Sequence, residues 1–337
     1  MGTALEDLTI VIPTMNRPQW IKRVFIYYSK NSFHGTILVL DSSDQEIFNL
    51  IKKTSELYKN LKIYLYNFPR MSNQQVMFAG SGKIQTKYSV NLADDDILLV
   101  EGLEKAIVFL NNEKLYSGAL GNGYMISTLN NQPFGKINNI LDYELTNYSD
   151  DDIFLRVSSY FNNIKNTSFA VMRTEVFKES YEKIMSFDKF FQTFMFGELI
   201  QSALYLTKGK IMKIDSDYLV RQVHPENTYH LYSQKIIDKN EWDKAFITLK
   251  TYLQKTFEYK KNFEIDIILK NITYKKANTL EKQQKSNIIY LFLKKEFIKT
   301  FLKRVKYFLY DVYKVKNFEK TVELNNFIRI VDKKNIL

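Results

Sequence analysis

Short apolar runs rich in Val, Ile, Leu and Tyr alternate with helix-patterned segments through the first hundred residues, and this alternation limits the fold more than any other feature. The runs at 8–13 (LTIVIP), 36–41 (TILVLD), 61–66 (LKIYLY) and 87–93 (KYSVNLA) read as buried strands. Between them, RPQWIKRVFIYYSKN, SDQEIFNLIKKTSELYK and SNQQVMFAGSGKIQT carry helical spacing or helix-start residues such as Pro18 and Ser43. Strand and helix in strict alternation predict an α/β, Rossmann-like, mainly parallel sheet flanked by helices, with right-handed crossovers. Function in such sheets gathers beyond the carboxyl ends of the strands. Three polar clusters fall there: Pro13-Thr14-Met15-Asn16, Asp41-Ser42-Ser43 and Asp94-Asp95-Asp96.

The middle third is mixed. SGALGNGYMIST, KIMKID and DYLVRQV read as strands, whereas DDIFLRVSSYF and EVFKESYEKIM read as helices. Beyond about residue 229 the chain has no proline or glycine and reads as helices dense in Lys, Asn, Phe and Tyr. This places a catalytic domain at 1–231 and a helical, basic region at 232–337. With 45% hydrophobic and 15% aromatic residues, the 337-residue chain can bury a large core. The lack of cysteine excludes disulfides and thiolate metal sites. No basic-then-apolar leader opens the chain and no run reaches about 18 apolar residues. A cytoplasmic location is therefore expected.

Asp94, Asp95 and Asp96 lie between two apolar runs, where adjacent like charges repel and lose hydration. An oxygen-rich cluster after a strand suits Mg²⁺ or Mn²⁺, which can bridge carboxylates to a diphosphate and stabilise its charge as a leaving group. Capping of the helix that begins near Val100 is the competing role. A second triplet, Asp150-Asp151-Asp152, precedes an amphipathic pattern and reads as a helix cap. Asp41 ends an otherwise apolar strand, where its carboxylate can accept from a ribose hydroxyl or a base N–H.

LTIVIPTMNRP, then ILVLDSSD, then SVNLADDDILL resemble the amino-terminal half of bacterial family 2 type glycosyltransferases of the GT-A fold, over about residues 7–110. The resemblance implies a metal-dependent, inverting enzyme that moves a sugar from a nucleoside diphosphate donor, UDP being the expected nucleotide, to a surface-glycan or lipid-linked glycan acceptor. It implies that Pro13, Thr14, Asn16 and Arg17 line the nucleotide pocket and that Asp41 contacts the base. Asp94 then lies near the ribose, Asp95 beside it in the donor site, and Asp96 on the metal. One departure is that Ser-Ser follows Asp41 where the family commonly carries a second acid and Gly-Ser.

An inverting transferase needs a carboxylate to deprotonate its acceptor. In residues 187–206 the acids are Asp188 and Glu198, and Glu198 sits in an apolar stretch that raises its pKa. Glu198 is the expected base, with Asp188 the alternative; pairing of Glu198 with Arg173 or Arg221 is the structural role it could have instead. By order and residue type, Arg221 matches the family's diphosphate contact and His224 a late metal ligand.

The net charge of +11 is concentrated near the end: residues 285–320 hold ten Lys or Arg against three acids. Phe297, Phe301, Val305, Phe308 and Val312 share one helical face there, which fits peripheral contact with an anionic membrane, or a helix docked on the catalytic domain. Two other functions fit the sequence less well. A sugar-nucleotide-forming nucleotidyltransferase needs a glycine-rich phosphate loop, which PTMNRP lacks. A nucleic-acid-binding protein would carry a recognition motif and charge outside one helix, so no nucleic acid is expected.

Overall fold

The computed structural model of the protein describes residues 4–187, 194–225, 239–260, 262–269 and 322–332. Its first half follows the alternation of the sequence: β1 (Leu8–Thr14), α1 (Pro18–Lys30), β2 (Thr36–Asp41), α2 (Gln45–Ser55), β3 (Lys62–Asn67), α3 (Asn73–Ser81) and β4 (Tyr88–Asn91). Then come β5 (Asp96–Leu98), α4 (Val100–Asn112), β6 (Tyr116–Thr128), β7 (Ile137–Tyr143), α5 (Ile153–Asn162), β8 (Val171–Arg173), α6 (Thr174–Met185), α7 (Phe194–Lys208) and β9 (Lys210–Gln222). Three helices follow, α8 (Lys239–Thr256), α9 (Asn262–Leu269) and α10 (Val322–Asp332).

The strands form one sheet in the order β3-β2-β1-β4-β8-β6-β9-β5, with β7 paired to β6 where β8 has ended. Most paired residues lie in parallel ladders, including all of β3-β2-β1-β4. Every residue of β2 is buried, as is nearly all of β1, as expected for parallel strands covered on both faces. Pro18 opens α1, where a missing N–H costs nothing, and Ser72 with Gln75 forms a capping box at α3. Asp152 caps α5 by accepting from the Leu155 N–H at 2.9 Å, the role read from the second acidic triplet.

The second half departs from the sequence pattern. KIMKID and DYLVRQV are one continuous strand, β9, whose pairing with β6 shifts register along its length. Strands β5, β7 and β8 carry no clear pattern, because two are three residues long and β7 alternates little. Asp96 opens β5 and stands opposite Arg221 on antiparallel β9. Behind this ladder, α4 rides so close to β9 that a Cβ on Gly102 would lie 2.3 Å from the Asp217 carbonyl oxygen.

The carboxyl-terminal helices join the same core. Phe257, beyond α8, meets Phe154 of α5 edge-on at 5.4 Å. Leu324, Phe327, Ile330 and Val331 of α10 are buried, and Phe327 lies edge-on to Tyr27 of α1 at 5.7 Å. Glu323 caps α4: its Oε1 accepts from the Val100 N–H and from Tyr27 OH, and its Oε2 accepts from the Glu101 N–H at 2.9 Å. Helix α4 is therefore not capped by Asp94–Asp96. The boundary at 231, Asp188 and the basic stretch 285–320 lie outside the described residues. Among the described residues no helix is long and apolar enough to cross a membrane.

Glu323→Ala removes the acceptor of the Glu101 N–H and the Tyr27 hydroxyl and leaves the Val100 N–H only the Tyr27 hydroxyl oxygen at 3.3 Å, and should cost about 1–3 kcal/mol in urea unfolding. Glu323→Gln, which keeps one carbonyl acceptor, should lose less.

Candidate active site

The turn after β1 is shaped by Asn16, which adopts φ 58°, a left-handed conformation that asparagine tolerates better than most residues. Its N–H donates to Ser43 Oγ at 2.7 Å, and Ser43 Oγ donates to Asp41 Oδ1 at 2.5 Å. The Ser42 N–H donates to the Thr14 carbonyl at 2.9 Å. The ends of β1 and β2 are thus locked together, with Pro13 just behind in register with Leu40. Asp41 is fully buried and its Oδ2 has no hydrogen-bond partner among the described residues. Burial pushes its pKa up, and the Ser43 hydrogen bonds oppose the rise.

The acidic triplet meets a cation or donor at every carboxylate. Asp94 accepts from Thr14 Oγ1 at 2.6 Å and from Arg17 Nη1 at 2.9 Å. The same Arg17 nitrogen reaches Asp95 Oδ2 at 2.9 Å, and His224 Nε2 lies 3.0 Å from that oxygen. Asp96 accepts from Arg221 Nε and from the Gln222 N–H, both at 3.1 Å. Burial raises the pKa values of Asp94 and Asp96, and the neighbouring Asp95 charge adds to both. For Asp95 burial acts in the same direction, but His224 and Arg17 outweigh it and hold its carboxyl below the usual range.

Arg221 is clamped between the rings of Tyr143 and Phe169, each 5.0 Å from its guanidinium, and its Nη1 donates to Tyr143 OH at 3.2 Å. Glu198, near the start of α7, feels both Arg221 and Asp95: burial pushes its pKa up to about 7, Arg221 opposes the rise and Asp95 adds to it. Arg173, the other partner considered for Glu198, instead donates to the Tyr116 and Leu110 carbonyls. His224 is stacked on Trp20 with ring centroids 4.4 Å apart.

The structure therefore assembles Thr14, Arg17, Asp94, Asp95, Asp96, Arg221 and His224 into one cluster. Asp41 and Asn16 adjoin it through Ser43, and Glu198 stands within its electrostatic reach. His224 faces Asp95, not Asp96. Arg23, Trp20, Tyr143 and Gln222 belong to the cluster without any sequence signal beyond the helical spacing of Trp20 and Arg23. Among the described residues no three His, Asp or Glu side chains converge as a ready-made metal cage. The donor set is of the type a hard cation takes, since carboxylate and imidazole groups adjoin, while both Asp96 oxygens already accept from Arg221 and the Gln222 N–H.

No protein-family model and no curated protein sequence matches the chain. Solved structures do. The crystal structure of S. aureus TarS 1–349 in complex with UDP-GlcNAc matches with a TM-score of 0.51 at 12% identity, over 78% of this chain and 70% of that one. A second crystal structure of S. aureus TarS 1–349 matches with a TM-score of 0.50 at 12% identity, over 78% of this chain and 69% of that one. The chain shares the α/β fold of these TarS structures. At this identity the likeness speaks to the fold alone.

The raised pKa of Glu198 has a consequence for stability. A carboxyl whose folded pKa of about 7 exceeds its ordinary value of 4.5 favours folding at low pH, and that contribution is lost as pH rises through about 7. Glu198→Gln has no charge to bury. Its melting temperature should exceed the parent's at pH 8 and converge with it near pH 5.

Proposed function

We propose that the protein is a glycosyltransferase that moves a sugar from a uridine diphosphate sugar to a glycan acceptor of the bacterial surface, with inversion at the transferred carbon. The observation that carries this reading is the unpartnered, buried Asp41 Oδ2 beside the acidic triplet at the carboxyl ends of parallel strands. A buried acceptor without a donor is costly, and a base N–H approaching the carboxyl ends of β1 and β2 would supply one. The fold it sits in is shared with a protein crystallised with UDP-GlcNAc.

In this reading Thr14, Asn16 and Arg17 form the wall of the nucleotide pocket, and Asp94 and Asp95 face the ribose and diphosphate. Asp96, together with the adjoining Asp95–His224 pair, would hold Mn²⁺ or Mg²⁺, which when bound would neutralise charge on the departing diphosphate. Arg221 fixes Asp96 and adds positive charge on the same side. Glu198 takes the proton of the acceptor hydroxyl as that oxygen attacks the sugar. Its pKa of about 7 leaves it largely ionised above neutrality while keeping it basic enough to accept the proton. A lipid-linked acceptor would bring the enzyme to a membrane face, and the basic residues 285–320 would favour an anionic one.

UDP should stabilise the fold more with Mn²⁺ than with EDTA, adding roughly 2.7 kcal/mol at a hundredfold over its Kd, and more than GDP or CDP does. Equal melting curves in Mn²⁺ and EDTA would sink the cation's role. Sugar transfer should separate the two acids. Asp96→Asn should weaken Mn²⁺-dependent UDP binding and turnover together. Glu198→Gln should retain UDP affinity and lose about 10²- to 10⁴-fold in transfer rate.

A further inference from the structure

Arg23 is wholly buried on α1, on a helix face otherwise lined by Trp20, Ile21, Val24, Tyr27 and Tyr28. A guanidinium in such a place needs compensation, which both Nη atoms have and Nε lacks among the described residues. Its Nη2 donates to the Asp95 main-chain carbonyl at 2.6 Å. Its Nη1 donates to the Gln222 side-chain carbonyl and, at 3.2 Å, to the Pro133 carbonyl. Gln222 in turn presents its own N–H to Asp96 and its side-chain amide to Thr128 Oγ1 and the Gln132 carbonyl. The faces of the guanidinium are covered too, by Trp20 at 4.7 Å and by Phe327 of α10 at 5.7 Å. Trp20 also stacks on His224, which pairs with Asp95.

One buried cation thus joins the acidic triplet, the end of β9 and the loop between β6 and β7. None of the groups it holds is a surface feature, and its own charge does not face the cleft through an exposed tip. We infer that Arg23 is a positioning residue, which sets Asp95, Asp96 and His224 in place for the nucleotide, and that Phe327 makes α10 the cover of that hinge point. The inference rests on the reading of the cluster as a UDP-sugar site. A lysine substituted for Arg23 keeps the charge, but its single nitrogen cannot span three acceptors. The triplet and β9 are then released from one another while the apolar packing of α1 remains.

The test uses the full chain with Arg23→Lys, UDP and MnCl₂ as probes, and amide hydrogen exchange without nucleotide. Faster exchange confined to about residues 93–98 and 220–224, with the rest of the chain exchanging as in the parent, and at least a tenfold loss of UDP–Mn²⁺ affinity are expected. Trp20 is one of two tryptophans, so a Trp242→Phe background isolates its emission. UDP with Mn²⁺ should shift that emission when Arg23 is present and leave it unshifted in the Arg23→Lys protein. Parent-like affinity, or exchange raised throughout the chain with a lower melting temperature, overturns the proposal and leaves Arg23 a core residue. If Arg23→Lys does not fold, Gln222→Ala decides by the same outcomes, since it removes Arg23's side-chain partner together with that side chain's bonds to Thr128 and Gln132 and leaves Arg23 itself in place. If the parent chain binds no UDP, the functional reading fails separately. The exchange pattern then decides: local loosening upholds the positioning role and a uniform or absent change overturns it.

Discussion

Three adjacent carboxylates buried at the mouth of a sheet must find opposite charge within hydrogen-bonding distance, because water is not there to dissipate theirs. No one element could supply it. Arg17 comes from the turn after β1 and Arg221 from an antiparallel strand more than a hundred residues on; the His224 ring reaches Asp95 from just past that strand, and Arg23, on the buried face of α1, holds the Asp95 main-chain carbonyl. The cross-strand register that sets Asp96 opposite Arg221 makes β5 and β9 part of the same requirement.

The compensation is incomplete in a useful sense. Asp94 and Asp96 remain harder to ionise than free carboxyls, and so does Glu198 near the same cluster. The site carries stored electrostatic cost that another cation would relieve. Burial is the largest cause of the rise at all three carboxyls, so the features proposed for donor binding and for proton removal share one physical origin. Asp41 adds a second unmet demand, a buried oxygen lacking a donor, on the neighbouring strand end.

The described carboxyl-terminal segments are bound into this arrangement. Glu323 satisfies the first turn of α4, directly after the strand that begins with Asp96. Phe327 covers Arg23, the Val331 carbonyl accepts from the Gly135 N–H at 2.8 Å, and Asp332 accepts from the Ile137 N–H at 2.8 Å, holding the β7 end of the β6–β7 loop. A charged helix terminus that looked, in the sequence, like the acids' own cap is served by a side chain 222 residues away.

Local patterning was enough for β1 to β4, their crossovers, the helix cap at Asp152 and the placing of Asp41 and Asp94–Asp96 at strand ends, since each follows from periodicity and turn chemistry within a few residues. Strands β5 and β8 are too short to show a period, and β9 hid as two runs because its register slips in the middle. Arg23 reads as an ordinary basic residue of an amphipathic helix, and Gln222 and Tyr143 carry no local mark at all. By itself the sequence determined the parallel α/β frame and which acids stand at its mouth, because hydrophobic period and strand-end position are local properties. Only the tertiary structure decided which cations face those acids and which helix terminus Glu323 caps. Charge pairing in a buried site depends on distances between segments far apart in the chain, and those distances exist only once the sheet has closed.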